Sequence, residues 1–280
     1  MPSRIARGSA SRLRAQLEDA DGEELTGDVT VEVRNSLGVI VADGDAEGPD
    51  DDDEYTFLLD GDATAAIDRL VCTWTASDGS SRTEHDVVGS HLHSIRALRR
   101  FDPLDDEDKY PTADLRAYRD LAAYALERAC RVAFTERFAT WSAIADGGDF
   151  LIPRIGVRSI RWATVAGEAV ELDALTLGSG GAIRGLERPE GALVEVGFTF
   201  CLTETAPPDV ARAAMLVARE VAFGDRDGAL SPRATSQSTE DGTFSLVTAG
   251  VAGASFDIPE VNAVVADYGA GSGYGAIAGG

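Results

Sequence analysis

Apolar and polar residues alternate through the first hundred positions of the chain. Val29, Val31 and Val33 alternate with Thr30, Glu32 and Arg34, the period of two that marks a half-buried strand. Leu13, Ala15 and Leu17 show the same pattern upstream. Tyr55, Phe57 and Leu59, then Leu70, Cys72, Trp74 and Ala76, show it downstream. Asp19-Ala20-Asp21-Gly22, Asp43-Gly44, Asp60-Gly61 and Asp78-Gly79 punctuate these runs as turns, with glycine supplying the positive φ. About seven short strands in about 90 residues, with one buried tryptophan, predict an immunoglobulin-like (Ig-like) β-sandwich over 1–100. Cys72 has no second cysteine in this segment, so the match is one of architecture and assigns no function.

Residues 101–111 are a charged linker, Asp102-Pro103-Leu104-Asp105-Asp106-Glu107-Asp108 at its heart, and beyond it the period changes. Leu115, Tyr118, Ala122, Ala125, Ala129 and Val132 are spaced three and four apart, which predicts a helix over Ala113–Phe134 with Thr112 as N-cap and Asp114 in the first turn. The alanine-rich stripe allows close approach of a helix from the same or another subunit. Leu115, Tyr118, Ala122 and Ala125 are therefore candidate subunit-interface residues. From Thr135 to Thr205 the pattern returns to β: Arg137–Ile144, Phe150–Pro153, Val157 with Ile160, Trp162 and Val165, a turn at Gly167, and Ala192–Phe200. Pro207-Pro208 then opens a helix over Asp209–Phe223, striped by Val210, Ala214, Val217 and Val221 and ended by Gly224.

Residues 231–280 are of another kind. Two polar, turn-rich arms surround one short apolar set, Phe256, Ile258, Val261, Val264, Val265 and Tyr268, before a Gly/Ala tail. So little apolar surface cannot offset the entropy of ordering the segment alone, so it is either disordered or ordered by docking on another chain. Phe256, Ile258, Val261, Val264 and Tyr268 are the candidate partner-docking residues. Aspartate at Ile258 and Val261 is expected to leave the subunit folded and stop attachment.

The order helix, β-insertion, helix, arm and short helix resembles the head-to-tail connector (adaptor) proteins of long-tailed bacteriophages, the actinobacteriophage type in particular. The likeness is carried by Tyr110-Pro111-Thr112-Ala113-Asp114, by Phe150-Leu151-Ile152-Pro153-Arg154-Ile155-Gly156-Val157-Arg158-Ser159-Ile160, and by Pro207-Pro208-Asp209-Val210-Ala211-Arg212-Ala213-Ala214. Its last stretches are Ser238-Thr239-Glu240-Asp241-Gly242-Thr243-Phe244-Ser245-Leu246 and Ile258-Pro259-Glu260-Val261-Asn262. It covers about 165 residues, Leu104 to Tyr268, and leaves the N-terminal sandwich outside. The resemblance implies an α+β fold with a connector domain over 112–230 and an extended arm over 231–280. It further implies a homo-oligomeric ring of about twelve copies beneath the portal protein. Such a ring extends the DNA channel, seats the next neck protein and joins capsid to tail in the virion, after synthesis in the host cytoplasm. The alternative is an Ig-like binding or adhesion protein, which would carry a secretion signal; Met1–Ala10 lacks the apolar core of one.

Charge fits the channel. With 48 acidic and 25 basic residues the formal net charge is −23, which excludes a tight grip on phosphates yet suits a surface that DNA passes without sticking; an acidic surface selected for solubility explains the same number. Among basic residues, Arg154, Arg158 and Arg161 cluster beside one strand as further interface candidates, either as salt bridges or as contacts to an acidic partner or passing DNA. Cys72, Cys130 and Cys201 are far apart and read as buried free thiols. His91-Leu92-His93 lacks the further ligands of a zinc site, and Asp50–Glu54 lacks the glycine and terminal glutamate of a calcium loop. Gly178-Ser179-Gly180-Gly181 is a hairpin turn rather than a phosphate loop, since no Lys-Ser/Thr follows. No stretch approaches the roughly 20 apolar residues of a membrane span. No cofactor, metal or catalytic set is expected.

Overall fold

The structure is a computed structural model of the chain. It describes residues 2–18, 27–50, 54–77, 79–101, 104–145, 150–226, 236–239, 242–245, 256 and 258–269. The turns expected at Asp19–Gly22 and Asp78, most of the Asp50–Glu54 run, Asp102-Pro103, Glu240-Asp241 and the Gly/Ala tail lie outside the described residues. The fold is mixed α+β, and the chain forms two compact units, each assembled from two stretches: 1–90 with 135–204, and 91–134 with 205–280. The units therefore do not coincide with the divisions expected near residues 100 and 111.

The first unit is all β apart from short turns. Its N-terminal stretch contains β1 (Ser3–Ala6), β2 (Ser11–Gln16), β3 (Thr30–Arg34), β4 (Ile40–Asp45), β5 (Glu54–Leu59), β6 (Arg69–Thr75) and β7 (Ser80–Val88). A five-stranded sheet in the order β1-β7-β6-β3-β4 and the pair β2-β5 enclose one core of Leu13, Tyr55, Leu59, Val31, Val33, Leu70, Cys72 and Trp74. The period-two residues of the sequence are the core residues. Asp43-Gly44, expected as a turn, lies inside β4; the reversal before it is Asn35–Gly38, where the Asn35 side chain accepts from the backbone N–H groups of Leu37 and Val39, both at 3.0 Å.

The second stretch contains β8 (Arg137–Ile144), β9 (Phe150–Leu151), β10 (Val157–Val165), β11 (Glu168–Ala169), β12 (Thr176–Leu177), β13 (Ala182–Arg184) and β14 (Leu193–Phe200). They form an antiparallel sheet β11-β10-β14-β8 and a small sheet β12-β13-β9 around Phe150, Ile152, Ile183, Val194, Val196 and Phe198. Gly178–Gly181 reverses the chain between β12 and β13, as its glycines suggested. Gly181 has φ +81°, and a Cβ there would meet the Ile152 carbonyl oxygen at 2.7 Å, so glycine is required.

Several contacts join the two β stretches, among them the Gly89 N–H donating to the Glu136 carbonyl at 2.9 Å and a hydrogen bond from Trp162. The Trp162 indole occupies the space beside Gly197 on the neighbouring strand that a side chain at 197 would fill. Its Nε1–H donates to Ser36 Oγ at 3.1 Å, across 126 residues of sequence. The β3–β4 turn is thereby fixed to β10.

The second unit is helical. It contains α1 (Ile95–Leu98), α2 (Thr112–Cys130), α3 (Pro208–Arg226), the hairpin β15 (Ser236–Thr239) with β16 (Gly242–Ser245), and α4 (Pro259–Tyr268). Pro111, not Thr112, is the N-cap of α2; Thr112 Oγ1 accepts from Arg99 instead, at 2.9 Å. The helix stops at Cys130 because Arg131 turns left-handed, φ 58°. Gly224, expected to end α3, lies within it. Within the expected linker 101–111 the acidic run Asp105–Asp108 and Lys109 are exposed, while two apolar residues are drawn inward. Leu104 and Tyr110 are fully buried, and the Arg99 guanidinium donates to the carbonyls of both, at 3.0 and 3.1 Å.

Any side chain at 197 must displace the Trp162 ring. Gly197→Val is expected to cost about 1–3 kcal/mol by overpacking and to break the Ser36 bond. A lowered urea midpoint, with a change in tryptophan fluorescence that Ser36→Ala reproduces in part, checks this.

Candidate assembly surfaces

The C-terminal apolar set is ordered by α4, and α4 packs on α2 and α3 of its own chain. Ile258, the N-cap, provides no side-chain cap; the chain leading into the helix is instead held by Asn262, which folds back onto Phe256. It accepts from the Phe256 N–H at 2.8 Å and donates to the Phe256 carbonyl at 2.5 Å. This clamp has no sequence signature beyond an asparagine one turn into the helix. Val261 and Val264 are buried, while Phe256, Ile258 and Tyr268 are half-buried. The Tyr268 ring meets Phe134 edge to face, centroids 5.3 Å apart. Two buried valines contribute about 1.5–3 kcal/mol each and the ring pair about 0.5–1.5, against about 0–1 for the exposed Arg212–Glu260 pair at 3.5 Å. Apolar packing, not charge, holds α4. Aspartate at Val261 would thus bury a charge in the chain's own core, and the expectation that such a subunit stays folded is corrected.

The predicted stripe of α2 is also internal. Leu115, Tyr118 and Ala122 are buried and Ala125 is half-buried. The buried set continues through Leu126 and Cys130, and it includes Arg119 and Asp120, which the apolar pattern did not suggest. Arg119 Nε donates to Asp120 Oδ1 at 3.0 Å, and His91 Nδ1 lies 3.8 Å from the same oxygen. What α2 exposes is its opposite face, with Leu121 and Tyr124 each 42% accessible. His93 is buried beside this network, its Nε2 without a hydrogen-bond partner among the described residues. Burial pushes His93 down to about 4; the Arg119 charge adds to the effect and the Ser94 carbonyl opposes it. No group of three or more His, Cys, Asp or Glu among the described residues could hold a metal ion.

The three arginines are exposed, and Arg154 and Arg158 make separate contacts. The Arg154 guanidinium lies over the Phe200 ring, 5.7 Å from its centroid. Arg158 Nε donates to Cys201 Sγ at 3.3 Å within an open cleft lined also by Arg7, Gly89, Glu136 and Glu204. Arg7 and Glu136 approach to 3.8 Å, and Glu204 and Glu136 both raise the pKa of Arg158 after Cys201 does. Two cations and two carboxylates balance each other in charge there, with Arg7 and Glu136 paired, so the cleft has no net positive charge to seat a phosphate. Arg161 is exposed on β10.

The thiols and the buried histidines are both held neutral. Burial pushes Cys72 and Cys130 up to about 12, and burial raises Cys201 against the opposing pull of Arg158. In the β1–β7 stretch His85 is clipped between Ser3 Oγ on Nδ1, 2.6 Å, and Thr83 Oγ1 on Nε2, 3.0 Å, with the Trp74 indole donating to the same Thr83 oxygen at 3.1 Å. Burial lowers His85 to about 4, with Asp86 opposing.

Two predictions follow from these neutral groups. Native chain should give less than one equivalent of thiol to a chromogenic disulfide at pH 8, and all three cysteines only on unfolding. For the histidines the unfolded ring binds a proton below about pH 6.5 and the folded ring only near 4, so stability is complete above 6.5 and falls as the pH drops towards 4. Between pH 7 and 4.5 the His85 contribution is about 2–3 kcal/mol. The parent chain should lose that much more than His85→Gln in urea titrations.

No family model matches the chain, and no curated protein matches it. Among the described residues no helix is long and apolar enough to cross a membrane. Among solved structures the chain is similar to one described as "Neck of empty GTA particle computed with C6 symmetry". The two share 20% identity with a TM-score of 0.40, over 64% of this chain and 89% of that one.

Proposed function

We propose that this chain is a non-catalytic structural subunit of the head–tail neck of a tailed bacteriophage, of the connector type. About twelve copies form a ring beneath the portal, extend the DNA channel and seat the next neck protein. The observation that carries the reading is where the resembling stretches fall. Tyr110–Asp114 opens α2, Phe150–Ile160 spans β9 and much of β10, Pro207–Ala214 opens α3, and Ile258–Asn262 opens α4. Each stretch stands at a joint of the helix, β-insertion, helix and arm order, where chain direction is set. The acidic composition supports a lumen that DNA crosses without adhering. The β1–β7 stretch, with its two sheets around Trp74, is an Ig-like module outside the ring-forming part. Phe256, Ile258 and Tyr268 keep part of their surface exposed on the docked α4 and are the portion of the arm offered to the portal.

The mass of the purified chain by light scattering, alone and mixed with its portal, tests the proposal. A monomer that becomes a portal-bound ring of about twelve copies is expected. A monomer indifferent to the portal overturns it. Ile258→Asp should weaken attachment with the fold retained, whereas Val261→Asp should unfold the subunit.

A further inference from the structure

β8 ends the sheet β11-β10-β14-β8, and among the described residues no strand pairs with its outer edge. The end of β7 covers it only at the start, where the Gly89 N–H donates to the Glu136 carbonyl at 2.9 Å. Beyond that point β8 pairs with β14 alone, in unbroken register from Arg137↔Phe200 to Ile144↔Leu193. The Ala145 N–H points into the sheet, towards the Ala192 carbonyl. Antiparallel alternation therefore turns the N–H and C=O groups of Phe138, Thr140, Ser142 and Ile144 outward.

An open edge is normally blunted by charge, proline or shortness. The other edges of this unit obey that rule. β1 carries Arg4, β2 carries Arg12 and Arg14, β4 carries Asp43 and Asp45, and β9, β11 and β12 have two residues each. Strand β5 is bridged by Glu47 at Thr56. β8 begins with Arg137, which is buried, and after it Phe138-Ala139-Thr140-Trp141-Ser142-Ala143-Ile144-Ala145 has no charged residue, in a chain of net charge −23. It also exposes Trp141 (38%) and Ile144 (65%), with Leu193 (45%) paired to Ile144. The chain also has a segment with the opposite need. β15 and β16 form a two-stranded sheet with no third strand among the described residues, and such a ribbon is marginal alone. Their strands, Ser236-Gln237-Ser238-Thr239 and Gly242-Thr243-Phe244-Ser245, are likewise free of charge.

We infer that the open edge of β8 is completed by the β15–β16 hairpin of a second copy of this chain, added as further strands of the same sheet. The join is heterologous, a hairpin of one copy on a strand of the next, so it propagates around a ring instead of closing as a two-fold pair. Charge-free strands on both sides let two strongly acidic chains meet without like-charge opposition at the contact. This inference rests on the ring proposed above and names its inter-copy contact.

Mixed single-cysteine variants test it. Ser142→Cys in one population and Gln237→Cys in the other are combined on portal and treated with a short bis-maleimide; the native thiols are buried. A cross-linked dimer is expected from the mixture and not from either variant alone. Thr140→Pro removes one outward N–H without touching the β14 ladder, and it should cut the cross-link about tenfold or more while the monomer's urea midpoint holds. A ring that forms without the cross-link overturns the β8 contact and leaves the ring standing. A cross-link formed only within a doubly substituted single chain also overturns it, because the hairpin then serves its own copy. Absence of any portal-bound ring sinks the proposed function itself.

Discussion

Trp162 over Gly197 is the contact on which the β unit depends. Neither of its two β stretches has a large core: one sheet has five strands and its opposing layer only two, and the insertion divides into sheets of four and three. Such thin layers bury enough only when a neighbouring layer is fixed against them. Glycine at 197 lets the indole lie on the strand backbone, and the indole N–H then reaches Ser36 on the β3–β4 turn. The ring buries apolar area on one face and satisfies its own polar atom at the edge, so two requirements are met at one position. The Thr135 hydroxyl adds a second tie by donating to the Ser90 carbonyl at 2.9 Å, where the chain re-enters this unit.

The helical unit solves the same problem with small residues. Ala122 and Ala123 are buried on α2, and Ala213, Ala214, Ala218 and Ala222 on α3. Alanine lets helix axes approach, but it contributes little burial per residue, so the pair alone is a shallow core. The deficit is met from both ends of the chain segment. Leu104 and Tyr110 are drawn in by Arg99, and Val261, Val264 and Tyr268 are brought by α4. The apolar residues of the C-terminal region thus belong first to this chain's own fold, and only their exposed remainder is offered elsewhere.

What the sequence disclosed follows the range of the forces involved. Strands β8, β10 and β14 and helices α2 and α3 are legible because period two and period 3.6 are local properties, and Arg137–Ile144 agrees with the observed strand to the residue. The failures are long-range or polar. Nothing near Arg119 and Asp120 marks them as buried, since their burial depends on His91 and on pairing with each other. The charged run 101–111 does keep Asp105–Lys109 exposed; what the sequence did not mark is the burial of Leu104 and Tyr110, whose carbonyls accept from Arg99. The candidate docking residues were legible as an apolar set; which surface they meet was not, because a short amphipathic helix is written identically for its own chain and for a partner.

Acidity then limits how copies can associate. Each chain carries a formal charge of −23, and screening at physiological salt acts over about 8 Å, so carboxylates brought into direct contact still repel. Association must therefore use surfaces that lack charge or that balance it internally. The cleft of Arg7, Glu136, Arg158 and Glu204 is balanced but polar, and exposed ion pairs contribute about 0–1 kcal/mol each, too little to drive assembly. Strand Phe138–Ala145 and the exposed Leu121 and Tyr124 of α2 combine absence of charge with accessible apolar area. Of these, only the strand also has, among the described residues, outward backbone N–H and C=O groups with no strand beside them, which would fix direction and register as well as contact. A ring needs that directional information more than it needs area, because every copy must meet the next at the same angle for the circle to close.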